Sequence, residues 1–236
     1  MRLDKYIAVS ASLSRKTARQ QIGRGRVGMN GEVVRRPEQQ IGASDLVTLD
    51  ERTLHYQEHV YLMLNKPPGY ICSTQDELHP SVLNLLPEAL RRRDLHVVGR
   101  LDVDVTGLVL LTDDGAWSHR VTAPARKQPK VYVAETTEDL DPLLVETFSQ
   151  GILLHGKSKA TRPAELRIVM PRTAELTICE GRYHQVKRMF AAVDNPVVSL
   201  RRRRIGGLEL DPALAQGESR ELTETEVECI FLDVSG

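Results

Sequence analysis

The spacing of apolar residues changes character along the chain. Near the start, Leu3, Tyr6 and Ile7 recur at helical intervals, which predicts a short helix. Ala18 and Ile22 repeat this spacing and predict a second one. From residue 60 onward, short continuous apolar runs typical of buried strands alternate with helical spacing. The pattern therefore predicts a small helical module followed by a larger domain of strands and helices, an α+β fold without internal repeats.

Turn-forming residues divide the first module. Ser14 has the side chain and the position of an N-cap for the second helix. Asn30-Gly31 lies between β-forming residues and predicts a tight hairpin, and residues 45–49 predict a closing strand. Residues 50–59 are polar and aperiodic, which predicts a linker.

The larger domain is predicted over residues 59–236, after a first domain and linker over 1–58. Its first apolar run, 61–64, predicts a buried strand that stops at the sequence NKPPG, where two prolines fix the turn that carries Lys66. A later run, 109–112, predicts a central strand.

Composition limits the class of protein. The 236 residues are 41% hydrophobic, which is enough for a folded core. No apolar run reaches the ~18 residues of a membrane span, and the first residues lack the apolar core of a signal peptide, so we expect a cytoplasmic protein. Three widely spaced cysteines indicate neither a disulfide framework nor a zinc site. The pair His55 and His59 lacks the further ligands that a metal ion would need.

Charge is unevenly distributed although the formal net charge is zero. Residues 1–36, the basic head, contain nine lysine and arginine residues and two acidic ones. Concentrated positive charge is typical of a surface that binds nucleic acid, because attraction to phosphate depends on nearby charge. The alternative is an ordinary solvated helix face. The candidate RNA-binding residues of the basic head are Arg15, Lys16, Arg19, Arg24 and Arg26.

Two aspartates precede the predicted central strand, in the sequence GRLDVDVTGLVLLT at residues 99–112. Loops held by a rigid sheet commonly carry reactive groups. The residues alone leave three interpretations of Asp102 and Asp104 open: loop acids paired with Arg100, a catalytic carboxylate, or a pair that holds Mg²⁺ against phosphates.

A second basic stretch lies downstream. Tyr183, Val186 and Phe190 follow helical spacing, which predicts a helix in EGRYHQVKRMF with basic side chains on another face. Residues 182–204 contain seven basic side chains and one acidic one, so they predict a second patch for RNA. Its candidate binding residues are Arg182, Arg188, Arg201, Arg202, Arg203 and Arg204.

Four segments together resemble one enzyme family. Along the chain the order LNKPPGY, GRLDVDVTGL, KVYV, EGRYHQVKRMF is typical of the RsuA family of pseudouridine synthases. Residues 1–50 resemble the αL RNA-binding module that precedes its catalytic domain. The likeness implies a mixed, mostly antiparallel catalytic sheet with a central cleft. It also implies isomerisation of a uridine in 16S ribosomal RNA, within a small-subunit assembly intermediate, by a monomer that needs no metal or other cofactor.

The resemblance implies the main catalytic roles. Asp102 matches the catalytic aspartate, Tyr132 the tyrosine that packs on the target base, and Lys187 the basic residue that pairs with the aspartate. Arg188 is the second choice for that pairing.

Three further positions take implied roles or depart from the family. Arg100 is implied to reach into the RNA, and Lys66, counted with the RNA-binding residues, to support the cleft. The family usually has Ser, Thr or Ala where this chain has Val105, which changes the hydrogen bonding expected in the loop.

The implied chemistry suits these residue types. Breaking the N1–C1′ bond leaves an electron-poor sugar, which a carboxylate can attack, stabilise or deprotonate at C2′. An ionised carboxylate in a dry pocket needs a nearby cation, and a flipped base regains stacking on an aromatic ring. Two other functions fit the same residues: a non-catalytic RNA-binding assembly factor and a Mg²⁺-dependent RNA phosphotransferase.

Overall fold

The computed structural model of the chain describes residues 1–11, 13–42, 44–54, 56, 58–91, 93–126 and 128–232. They form two compact units. The N-terminal unit consists of Met1–Val60 with Pro87–Arg93, and the C-terminal unit of Tyr61–Leu86 with the residues from Asp94 onward. The division after residue 60 lies two positions beyond the predicted domain boundary, and the prediction places residues 87–93 in the other domain.

Helices α1 (Leu3–Ser10) and α2 (Arg15–Gly23) are both present where the spacing predicts them. Ser14 caps α2, because its hydroxyl accepts a hydrogen bond from the backbone N–H of Thr17 at 3.1 Å. The apolar faces of the two helices pack into one core with residues of the following sheet: Leu3, Ile7, Ala18, Ile22, Val27 and Val47 are fully buried there.

A small antiparallel sheet completes the N-terminal unit. Its described strands lie in the order β2 (Glu32–Val33), β1 (Val27–Met29), β3 (Val47–Leu49) and β4 (Arg52–Leu54). Asn30 and Gly31 have φ of 54° and 87°, as the two-residue turn between β1 and β2 requires, so the hairpin prediction is confirmed. The unit also includes a short helix, α3 (Glu88–Arg91).

The linker prediction is wrong at residues 52–54, where β4 pairs with β3. The turn between these strands uses Asp50 and Glu51, both with positive φ, 51° and 64°. Non-glycine residues seldom adopt this conformation, so the sequence carries no strong hairpin signal. Arg26 holds the turn by donating from Nε to Asp50 Oδ1 at 2.6 Å. His55, which the sequence analysis excludes as a metal ligand together with His59, lies outside the described residues.

The C-terminal unit alternates strands with short helices. In chain order its described elements are β5 (Tyr61–Lys66), a 3₁₀ turn (Val82–Leu85), β6 (His96–Val98), β7 (Thr106–Thr112), α4 (Gly115–Thr122), a second 3₁₀ turn (Pro124–Arg126), β8 (Lys130–Thr136), α5 (Leu144–Ser149), β9 (Glu165–Met170), β10 (Thr173–Ile178), α6 (Gln185–Ala191), β11 (Val197–Ile205), β12 (Leu208–Glu209), β13 (Ser219–Glu221) and α7 (Glu224–Cys229).

These strands form one mixed sheet. Its main path is β13-β5-β7-β11-β8-β10-β9, with β6 beside β7 and β12 beside β11. Among the described strands the neighbours are antiparallel except β7 and β11, which run parallel with Arg201 opposite Thr106. The predicted mixed, mostly antiparallel sheet is therefore confirmed.

Strand β7 lies in the interior of the sheet. Its residues from Gly107 to Thr112 are buried, which confirms the predicted central strand but starts it three residues earlier than Val109. The loop over residues 99–105 leads into this strand, so the sheet fixes where the loop ends.

Candidate active site

A cavity of about 800 Å³ opens beside the loop that precedes β7. Its walls come from that loop, from β8 and from the segment leading into α6. The polar side chains in its lining include Arg100, Asp102, Lys130, Tyr132, His184 and Lys187. The cavity therefore collects the three residues for which the sequence predicts catalytic roles.

A buried lysine, Lys66, holds the loop over residues 99–105 through its backbone carbonyls. Lys66 Nζ donates to the carbonyl oxygens of Val103 at 3.0 Å and Val105 at 2.8 Å. The backbone N–H of Gly69 donates to the same Val103 oxygen at 2.8 Å. Val105 is itself buried, and its N–H donates to the carbonyl of Asp102 at 3.2 Å. Backbone groups and Lys66 thus supply the loop bonding that the Val105 departure put in question.

Lys66 does not reach the surface. Its side chain is fully buried, and burial lowers the pKa of its ammonium group. The prediction that Lys66 binds RNA directly is therefore wrong, because its donors point at loop carbonyls inside the protein.

Arg202 is the second buried cation around this loop. Its Nε donates to the carbonyl of Leu108 at 2.9 Å, and its terminal nitrogens donate to the carbonyls of Gly99 and Arg100. The side chain is 1% exposed. Direct RNA binding by Arg202 is wrong for the same reason as for Lys66: this side chain joins β11 to the loop.

Glycine at position 107 lets strand β11 pack closely against β7. Gly107 has φ of +100°, and a Cβ placed there would lie 2.3 Å from the carbonyl oxygen of Arg202. No larger side chain fits between the two parallel strands at this point.

A lysine bridges the two loop aspartates. Lys187 Nζ lies 2.6 Å from both carboxylate oxygens of Asp104 and 3.7 Å from Oδ2 of Asp102. The hydrogen bond from Lys187 holds the pKa of Asp104 below its usual range. Lys187 therefore reaches Asp102 as predicted, but it donates its hydrogen bonds to Asp104. The second choice, Arg188, is wrong: its guanidinium donates to the carbonyls of Tyr183 and His155 instead.

His184, to which the sequence assigns no role at the site, is a neighbour of Asp102. Its Nε2 lies 3.5 Å from Asp102 Oδ1, and its ring stacks on that of Tyr183 with centroids 3.8 Å apart. The backbone of His184 is left-handed, with φ of 49°. This conformation places both rings before the first turn of α6, so helical spacing could not reveal them.

The prediction that Tyr183 lies in the helix is wrong, because the left-handed backbone of His184 separates it from α6. Helix α6 begins at Gln185, and its buried face contains Val186 and Phe190. Tyr183 lies outside it and is 76% exposed.

Strand β8 supplies the aromatic wall of the cavity. Tyr132 pairs in the sheet with Arg202 on one side and Leu176 on the other and is 8% exposed. Lys130 lies two residues earlier, on the same face of the strand, and donates from Nζ to the carbonyl of Gln128 at 2.9 Å. Burial first, and then the nearby Arg202 charge, lowers the pKa of Lys130 to about 8.

The arginine run does not form the continuous patch that the sequence predicts. It lies in β11, whose pairing with β8 shifts register between Arg202 and Arg204, and its side chains differ in burial. Arg201 is exposed, Arg203 pairs with Glu175 and Glu209, and Arg204 is half-buried. Arg182 donates to the carbonyls of Lys159 and Ala160.

In the N-terminal unit, three arginines surround one buried carboxylate. Arg2, Arg15 and Arg19 donate to Asp4 at 2.9–3.1 Å. Burial alone would raise the pKa of Asp4, but the three hydrogen bonds outweigh it and hold the pKa well below its usual range. Among the candidate RNA-binding residues of the basic head, Lys16 and Arg24 are exposed and form no ion pair with the described residues.

Two negative findings apply to the described part of the chain. It contains no group of three or more His, Cys, Asp or Glu side chains arranged to hold a metal ion. None of its helices is long and apolar enough to cross a membrane.

Comparison with known proteins decides the class of the site. Residues 60–192 match the family described as RNA pseudouridylate synthase, and residues 1–47 match the S4 domain. The chain belongs to the RNA pseudouridylate synthase family. The resemblance drawn from the four sequence segments is therefore confirmed, and the non-catalytic alternative gives way to an enzyme of the isomerase class.

Relatives of this synthase match it over nearly its whole length. "Ribosomal small subunit pseudouridine synthase A" of Escherichia coli (strain K12) is 48% identical, over 96% of this chain and 98% of the relative. The protein of that name in Haemophilus influenzae is 44% identical, over 97% and 98%. A solved structure titled "Crystal structure of pseudouridylate synthase" is 44% identical, with a TM-score of 0.71 over 98% of this chain and 99% of that chain.

Proposed function

We propose that this synthase isomerises one uridine of 16S ribosomal RNA to pseudouridine, with Asp102 as the catalytic residue. The observation that carries the proposal is the position of Asp102. Its carboxylate is 31% exposed at the cavity, facing the same space as Tyr132, Lys187 and His184. The small-subunit relatives, which align with nearly the whole chain, support the choice of ribosomal RNA.

The reaction exchanges one glycosidic bond for another. The N1–C1′ bond breaks, the uracil turns within the cavity, and C5 forms a bond to C1′. The proton on C5 is lost and N1 gains one, so the atoms balance. The sugar is electron-poor between these steps, and the Asp102 carboxylate acts on it as carboxylates do in glycosidases.

Neighbouring side chains prepare that carboxylate and hold the base. Lys187 and His184 lie within 3.7 Å of Asp102, one on each carboxylate oxygen, so they offset the loss of water around it. Extruding the uridine from its stack costs a few kcal/mol. The Tyr132 ring in the cavity wall restores part of this by stacking on the base.

Basic residues of the S4 domain and Arg100 bind the RNA around the target. In the proposed complex the S4 domain presents Lys16 and Arg24 to the backbone phosphates, and Arg100, exposed at the cavity, contacts the strand beside the target. We infer a monomer that acts on a small-subunit assembly intermediate, and therefore in the cytoplasm.

A Mg²⁺-dependent phosphotransferase fits the same residues poorly. Such a site needs a metal ion between the two aspartates. The Lys187 ammonium group lies there instead, 2.6 Å from Asp104 and 3.7 Å from Asp102.

The proposal predicts different results for two neighbouring carboxylates. Asp102→Asn keeps size and hydrogen bonding but removes the charge, so turnover should fall on the order of 10⁴-fold or more while RNA binding remains. Asp104→Asn should lose less than about tenfold, because Asp104 does not line the cavity. The measurement is conversion of uridine to pseudouridine in 16S RNA and in small-subunit precursors, in EDTA.

The rival interpretations predict other patterns. Equal losses in the two variants, together with dependence on Mg²⁺, would favour the phosphotransferase. Parent-like turnover in Asp102→Asn would exclude the proposed mechanism. Mapping pseudouridine in ribosomal RNA from cells that lack the protein identifies the target uridine.

A further inference from the structure

A second cleft, of about 700 Å³, adjoins the candidate active site and is not used by the reaction described above. Lys157, Lys159 and Arg188 line it, together with Arg182 and Tyr183. Arg182 and Tyr183 also line the first cavity, so the two spaces are neighbours within the C-terminal unit.

Three of the four cations that line the second cleft have no acidic partner among the described residues, whereas the fourth, Arg182, pairs with Glu180 at 3.2 Å. No acidic side chain lies in its lining. Lys157 and Lys159 are exposed and form no ion pair with the described residues. The Arg188 guanidinium donates only to carbonyl oxygens, so its charge is not neutralised by a carboxylate in the described part of the chain. Such a cleft attracts a polyanion.

Two arginines hold this cleft in shape before any ligand arrives. Arg182 donates to the carbonyls of Lys159 at 3.0 Å and Ala160 at 2.7 Å. Arg188 donates to the carbonyl of His155 at 2.8 Å. The segment that carries both lysines is thereby tied to the residues around the start of α6. A preorganised site loses less conformational entropy on binding.

An exposed aromatic ring stands where the two cavities meet. One face of Tyr183 stacks on His184, with centroids 3.8 Å apart and an angle of 19° between the planes. The side chain is nevertheless 76% exposed, so its other face is open. His184 in turn lies 3.5 Å from Asp102, which links this platform to the carboxylate. An aromatic platform beside lysine side chains is the usual way to bind single-stranded nucleic acid.

We propose that the second cleft binds single-stranded RNA next to the target uridine. One flanking base stacks on Tyr183, and the phosphates beyond it contact Lys157 and Lys159. The identity of the target nucleotide rests on the proposed function. The flanking site itself rests on the charge, the open ring and the connection between the two cavities.

The test measures binding of a short single-stranded oligoribonucleotide with one central uridine to the full chain, over a range of salt concentrations. Lys157→Ala combined with Lys159→Ala should reduce the slope of log K against log salt by about 1.4, at about 0.7 per lost phosphate contact. Arg167→Ala combined with Arg172→Ala removes the same charge from exposed positions outside both cavities and should leave the slope unchanged.

Substitutions of Tyr183 test the stacking platform. Tyr183→Ala should weaken oligonucleotide binding about tenfold, whereas Tyr183→Phe keeps the ring and should bind like the parent. Uridine monophosphate has no flanking nucleotides, so the lysine variants and Tyr183→Phe should bind it as the parent does.

Three results would overturn the proposal: equal slopes in the two charge-removing variants, parent-like oligonucleotide binding by Tyr183→Ala, or tighter binding of an acidic peptide than of the RNA at the same salt. The last result would assign the cleft to a protein partner. None of these measurements needs turnover, so failure of the proposed reaction is seen separately, in the pseudouridine assay.

Discussion

At the scale of single residues, the candidate site depends on cations with different degrees of burial. Lys66 and Arg202 are enclosed and hold the loop through its carbonyls, whereas Lys187 meets two carboxylates at the cavity. All three are basic residues, and the residue type alone does not distinguish their roles. Only the fold separates a cation that supports the backbone from one that acts on Asp102.

The contribution of Lys187 can be measured by removing its charge. Lys187→Met leaves Asp102 with His184 as its remaining neighbour of potential positive charge, so kcat should fall about a hundredfold, less than for Asp102→Asn. Lys187→Arg keeps the charge and should recover part of the loss. A parent-like kcat in Lys187→Met would show that the ion pair with Asp104 has only a structural role.

Lys130 predicts a pH dependence of stability. Its pKa is about 8 in the folded protein and near 10.5 in the unfolded chain. Between these values the unfolded chain binds more protons, so this group makes the free energy of unfolding rise with pH from about 8 to 10.5. Urea unfolding over this range should give a shallower rise for Lys130→Met than for the parent.

The exposed Lys157 provides the control for that titration. Lys157→Met removes an equal charge from the surface and should keep the slope of the parent. If the slopes of Lys130→Met and Lys157→Met are the same, Lys130 titrates normally in the folded protein.

At the scale of elements, apolar spacing and turn residues predicted part of the fold. The helices α1 and α2, the Asn30-Gly31 hairpin and the strand β7 all follow from apolar spacing or turn chemistry. Strand β4 was missed because its turn uses Asp50 and Glu51 in place of glycine.

The site itself was predicted less completely, because it depends on conformations that leave no periodic signal. The family likeness identified Asp102, Tyr132 and Lys187. The sequence assigns no role to His184, because its left-handed backbone lies before α6 and gives no periodic signal. Net charge predicts one basic surface for the arginine run, because it does not show which of these side chains the strand buries.

The parallel pairing of β7 with β11 predicts a strict requirement for glycine. Gly107→Ala would place a Cβ 2.3 Å from the Arg202 carbonyl oxygen, at a φ that alanine disfavours, and should destabilise the fold by about 3 kcal/mol or more. Gly115→Ala, at the start of α4 with open space around it, should be neutral or slightly stabilising. Urea midpoints of the two variants would test this, and similar midpoints would contradict the steric argument.

At the scale of the whole molecule, the two units have separate cores. The apolar cluster around α1 and α2 and the cluster around β7 and α4 share no residue. Deleting residues 1–60 should therefore leave the C-terminal unit folded. It should also weaken RNA binding and reduce the salt slope by at least about 1.4, because Lys16, Arg24 and the other exposed cations of the basic head are removed.

Point variants of the full chain distinguish the loss of charge from the loss of the folded S4 domain. Lys16→Ala combined with Arg24→Ala should reduce the slope by about 1.4, whereas Arg26→Ala, whose partner is Asp50, should change it little. A slope that survives the deletion unchanged would remove the S4 domain from the RNA interface.

The strand order of the large sheet also sets the order in which a nascent chain can acquire structure. Strand β7 meets β11 nearly a hundred residues later in the chain, and β5 meets β13 later still. The α1–α2 core and its hairpin need only local contacts, which form early and quickly. During synthesis the S4 domain is therefore complete while Asp102 still lacks the strands that hold its loop, so a ribosome produces a chain that can engage RNA before it can modify it.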